Sequence, residues 1–162
     1  MKKGLLIPGL ILILFLAGCN TIDSTQHPSG QNHFAQVIST ETTSGPTVLP
    51  TFLKLMDPAI GNVYELAANN QNVLEYMPCY CGCGDSEGHK NNLDCFIKEE
   101  KADGSIVWDV HAVTCNNCQE IAKESAYMKN QLGKSLGEIR QAIDQKYREG
   151  YAKPTPTPLP LD

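Results

Sequence analysis

Apolar residues are unevenly spread along the chain, and their spacing predicts its elements. The first block runs from Leu5 to Leu16 without a charged residue, after Lys2 and Lys3. It falls short of the roughly 20 residues a helix needs to cross a bilayer. It leads into Leu16-Ala17-Gly18-Cys19, the form of an export signal ending in a lipobox. From Asn20 to Pro50 the apolar positions are too scattered to make a face among Ser, Thr, Gln and Pro. That composition predicts a flexible tether, in which His27 and His33 are solvated.

Helical spacing begins at Asp57-Pro58, an N-cap with proline at the first helical position, followed by Ile60, Val63, Tyr64 and Ala67 on one face. A helix over 58–69 is expected. Val73, Leu74 and Met77 add a short turn before Pro78 stops the pattern. Ile106, Trp108 and Val110 alternate with Val107, Asp109 and His111, the period of one short strand. Ile121, Ala122, Ser125, Met128 and Leu132 then trace a second helix ending at Gly133, with Thr114 placed to cap its start. Ser135 and Glu138 form a capping box for a third helix over 136–149, whose stripe is Leu136, Ile139, Ile143 and Tyr147. The predicted fold is mostly α: a small single helical domain with a cysteine-rich loop, a C-terminal helical hairpin and little β.

The expected organisation is a signal peptide over 1–18, a lipidated N-terminus and tether over 19–50, the domain over 51–151, and a proline-rich tail over 152–162. A diacylglycerol on Cys19, joined by a further acyl chain such as palmitate, would hold the protein to the outer face of the cell membrane, since two chains suffice for stable anchoring. The whole chain has 13 basic and 18 acidic residues. Loss of the two lysines of the leader leaves 11 against 18, a net charge of −7, which makes nucleic acid a poor partner. The expected partners are the membrane itself and an envelope or metal-trafficking protein.

Cysteine changes the picture most. There are seven, and if Cys19 carries lipid, six remain, all between 79 and 118. Pro78-Cys79-Tyr80-Cys81-Gly82-Cys83-Gly84 puts three thiols at alternate positions beside glycines that let the backbone curl, an arrangement suited to a soft metal ion. Disulfides between cysteines so close in sequence are strained. Cys115-Asn116-Asn117-Cys118 opens the second helix, where the positive end of the helix dipole favours thiolates. His111 stands four residues earlier, with Asp109 placed to orient its ring. Cys95 is read equally as ligand or buried apolar residue, and His89 equally as ligand or solvated.

The candidate metal ligands are therefore Cys79, Cys81, Cys83, Cys95, His111, Cys115 and Cys118, with copper the first expectation and zinc the second. Six thiols exceed the four ligands of one tetrahedral zinc, so full use implies more than one ion. Two other readings stand beside metal binding: thiol–disulfide exchange at the C-x-x-C, and three disulfides stapling an envelope interaction domain. No catalytic serine triad, phosphate-cradling loop or paired acid in an apolar setting is legible, so enzyme activity is the lesser expectation. Residues 78–84, with Asp94-Cys95-Phe96, His111 and Cys115-x-x-Cys118, resemble the bacterial PCYCGC-motif lipoproteins over about residues 58–149. The resemblance implies the domain; that family carries no assigned activity.

Overall fold

A computed structural model describes residues 39–161. The leader, Cys19, His27, His33 and most of the expected tether lie outside the described residues. Asp57 caps helix α1 (Pro58–Asn69) by accepting from the Ala59 amide at 2.8 Å, with Pro58 at its first position. Val63, Tyr64, Ala67 and Ala68 are its buried face. A one-turn helix, α2 (Gln71–Leu74), follows directly. The Asn70 side chain holds the junction, donating to the Leu66 carbonyl at 2.8 Å and accepting from Asn130 at 2.9 Å.

The cysteine loop contains a single turn, α3 (Cys83–Ser86). Beyond it come strands β2 (Ile97–Glu100) and β3 (Ile106–Asp109), then the long helices α4 (Asn116–Asn130) and α5 (Leu136–Lys146). The predicted capping box at α5 is present: Ser135 Oγ accepts from the Glu138 amide and Glu138 Oε2 from the Ser135 amide. Helix α5 ends at Lys146, three residues earlier than its stripe implied, with Tyr147 as a buried C-cap. Helix α4 begins with Cys115 as its N-cap and no side-chain cap, so Thr114 does not play the expected part.

The expectation of a mostly α fold is overturned. Thr40–Thr43 forms strand β1, and a three-stranded antiparallel sheet in the order β1-β3-β2 makes this a small mixed α/β domain. Trp108 sits at the centre of the sheet, opposite Glu41 on one side and Ile97 on the other. The two outer strands escaped detection because they have no alternation to detect. β1 is Thr-Glu-Thr-Thr, and β2 buries only Ile97 of Ile-Lys-Glu-Glu. Edge strands need one neighbour's backbone and can be polar throughout. The central strand stops at Asp109, before Val110, because Asp109 Oδ1 captures the His111 amide at 2.7 Å and starts a 3-10 turn over His111–Val113.

Two buried clusters flank the cysteine loop. One gathers Tyr64, Phe96, Ile106 and Trp108 around Cys79, Cys83, Cys95 and Cys118; the other joins Val73, Met77, Tyr80, Ile121, Ile139, Ile143 and Tyr147. Successive residues of the loop thus face opposite cores, Cys79 one and Tyr80 the other. The proline-rich tail runs extended across the outside of this loop. Ala152 N donates to the Tyr80 carbonyl at 3.1 Å, Thr155 N to the Cys79 carbonyl at 3.0 Å, and the Cys79 amide returns a bond to Thr155 Oγ1 at 2.9 Å.

Candidate metal centre

Three chain segments bring their sulfurs together. Gly82 takes a φ of 90°, which swings the chain after Cys79 and Cys81 so that Cys83 starts α3 and points inward. Gly84 lies close under the tail: a Cβ there would stand 3.0 Å from the Thr155 methyl group. The second segment, Lys90 to Cys95, is folded on its own side chains. Lys90 N donates to Asp94 at 2.6 Å and Asp94 N to Asn91 at 3.1 Å, placing buried Cys95 under the loop. The third is the first turn of α4. Buried Asn92 ties it to the loop, donating to the Cys118 carbonyl at 3.2 Å while its own amide bonds the Met77 carbonyl at 2.7 Å.

All six thiols are unbridged. Cys118 Sγ lies 2.9 Å from Cys115, 3.1 Å from Cys95, 3.3 Å from Cys79 and 3.7 Å from Cys81. Cys79 is 3.1 Å from Cys81 and 3.7 Å from Cys95, and Cys83 is 3.8 Å from Cys95. Every predicted ligand joins this array, His111 included, with Nε2 3.5 Å from Cys81. A disulfide is about 2.05 Å long, whereas tetrahedral Zn–S bonds of about 2.3 Å separate neighbouring sulfurs by about 3.8 Å. The longer contacts match that edge, and an ion would spread the shorter ones. Cys79, Cys83, Cys95 and Cys118 are buried; Cys81 and Cys115 are partly exposed.

His89 also belongs here, at 7% exposure, with Nδ1 3.5 Å from Cys95 and Nε2 3.9 Å from Asp109. Its ring packs edge-on against His111 with centroids 5.0 Å apart. Asp109 therefore faces the His89 ring and holds only the backbone of His111, a reversal of the expected pairing. The turn-forming Asn91-Asn92-Leu93-Asp94 was the signal that the loop is compact and its histidine inward. Asp109 is fixed in turn by the buried Tyr64 hydroxyl, which donates to its carbonyl at 2.7 Å. On the histidine side the cluster borders a cleft of about 690 Å³, lined by His89, His111, Met56 and the carboxylates of Glu87, Asp94 and Asp109, among others.

The electrostatics are those of a negatively charged nest. Contacts from Cys118 and Cys81 hold the Cys79 thiol down at about 4. Cys81 is likewise held low by Cys115 and Cys118, and Cys83 by Cys118 and Cys79. The protons this concentrates fall on Cys118, pushed far up by Cys115, Cys79 and Cys81, and on Cys95, where the lowering contact from Cys118 is outweighed by Cys79, Cys81 and Cys83. His111 is raised to about 12 by Cys115, Cys81 and Cys83. Burial depresses His89, but Cys83 and Asp109 outweigh it and the net shift is upward. Burial raises Asp109. Clustered thiolates and imidazoles of this kind could hold a metal ion, and in each of four overlapping groups of three or four donors the ligand atoms lie within 4.8 Å of one another.

A family model described as a protein of unknown function with PCYCGC motif matches residues 9–160. No curated protein and no solved structure matches the chain.

Proposed function

The chain belongs to the PCYCGC-motif family, and from that premise we propose that it is an extracytoplasmic lipoprotein that binds a soft metal ion, copper(I) first and zinc second. The observation that carries the reading is the convergence of six thiols and two imidazoles from three separated segments within contact distance. Thiolate donors select soft ions, and thiolates that touch several neighbours suit shared coordination. Asp109, with a carboxylate oxygen 3.9 Å from His89 Nε2, places a negative charge beside that imidazole. Anchoring through Cys19 rests on Leu16-Ala17-Gly18-Cys19 after the uncharged run, and a Cys19→Ala protein is expected to carry no lipid modification by mass spectrometry.

The test is thiol titration beside elemental analysis on one anaerobic sample. Bound copper or zinc in whole-number ratio is expected, with Cys81→Ser and Cys118→Ser each losing metal and thermal stability, and His27→Ala losing neither. A second reading, dithiol exchange, is favoured by the 2.9 Å approach of Cys115 and Cys118 at the start of α4. Six thiols locked in disulfides without stoichiometric metal would decide against metal binding.

A further inference from the structure

The donors of the cluster separate into two sets. Cys81, Cys115 and Cys118 with His111 form one group of mutually close ligand atoms; Cys83, His89 and Cys95 with His111 form another. Cys79 belongs to neither, yet it completes the two remaining groups, one with Cys95 and Cys118 and one with Cys81 and Cys83. Each of those groups takes a sulfur from both sets. Cys79 Sγ is 3.1 Å from Cys81 and 3.3 Å from Cys118 on one side, and 3.7 Å from Cys95 on the other. It is also fully buried, with its amide pinned by Thr155, so it stays between the sets.

Resting on the metal-binding reading, we propose that the centre holds two soft metal ions bridged by the Cys79 thiolate, one in a sulfur-rich set with Cys81, Cys115 and Cys118, the other in a mixed set with Cys83, His89 and Cys95. Two four-coordinate ions that share one ligand need seven donors. The cluster supplies eight, the extra being His111, which stands in both sets. A single ion would satisfy four and leave the rest of a buried, close-packed array without a function. The two places are not equivalent. A soft ion favours the sulfur-rich set. The mixed set has His89 and His111 on the wall of the 690 Å³ cleft, which Met56 also lines. The sulfur-rich set fills first and empties last; the ion beside His89 is the exchangeable one.

Cadmium-113 is a suitable probe, being a thiophilic tetrahedral ion with a nuclear spin. Titration of the reduced, metal-free full-length protein under anaerobic conditions is expected to end at two ions per chain. The saturated spectrum is expected to show two resonances of equal intensity, each split by the other through the shared sulfur. The signal of the sulfur-rich ion should appear first, and replacing both His89 and His111 by alanine should reduce the stoichiometry from two to one while retaining that first signal. Saturation at one ion, or two resonances with no mutual splitting, would overturn the bridged pair and leave metal binding intact. No stoichiometric cadmium in fully reduced protein would remove the underlying reading as well. Because the wild-type spectrum alone carries the splitting, the test does not depend on whether a Cys79→Ser protein folds.

Discussion

Cys118 touches Cys79, Cys81, Cys95 and Cys115, and it and buried Cys95 keep the protons that the neighbouring thiolates give up. A metal ion needs thiolates and neutral imidazoles, so uptake must displace protons. Loading the metal-free protein at pH 7 in weak buffer is therefore expected to acidify the solution by at least one proton per ion, followed with an indicator dye. Metal affinity should fall as pH is lowered, because protons then compete for the same sulfurs. Uptake with no proton release would contradict the charge arrangement described. Gly84 makes the second residue-scale case. An alanine Cβ there would press within 3.0 Å of the Thr155 methyl group. Gly84→Ala should cost about 1–3 kcal/mol, as overpacking does, measured by denaturant unfolding. In a chain ending at Tyr151 the same substitution should cost almost nothing.

Among the elements, strand β1 has the least apolar content and a hydrogen bond into the core. Trp108 is fully buried, and its indole N–H donates to Thr43 Oγ1 at 2.7 Å. Thr43→Val keeps the shape and removes the acceptor, leaving a buried donor unsatisfied at about 1–3 kcal/mol. The expected outcome is a lower unfolding midpoint with unchanged metal stoichiometry; no shift in the midpoint would mean that β1 contributes nothing through this bond. The contrast with the helices explains how much the sequence discloses. Helix α1 and the start of α5 were legible because a cap and a one-sided apolar stripe mark each of them within a few residues. Strands β1 and β2 were not, since their pairing is specified by β3 across gaps in the chain rather than by their own residues. The same holds within the site: the loop and the C-x-x-C announce themselves by spacing, whereas His89 acquires its place from Cys95, Asp109 and His111, residues brought to it only by folding.

For the molecule as a whole, one of its two buried clusters is built partly from the centre's own sulfurs, so occupancy and stability are expected to be linked. Removing the metal with a thiol-compatible chelator should lower the thermal midpoint by several degrees, reversibly on reloading under reducing conditions. An unchanged midpoint would separate the site from the core. The tail should contribute separately. Ending the chain at Tyr151 removes the bonds to Cys79 and Tyr80 and the Thr157 hydroxyl bond to the Lys90 carbonyl at 2.6 Å. Faster alkylation of Cys79 in the metal-free protein is then expected, with the α-helical content retained.

The tail across the cysteine loop also fixes an order of events during biosynthesis. Thr155 and Thr157 are made some seventy residues after the loop segments they close over. Until residues 155–157 have emerged from a ribosome or a translocation channel, the loop lacks its outer wall and Cys79 its amide partner. A nascent chain can gather its sulfurs but cannot seal them before residues 155–157 join the fold.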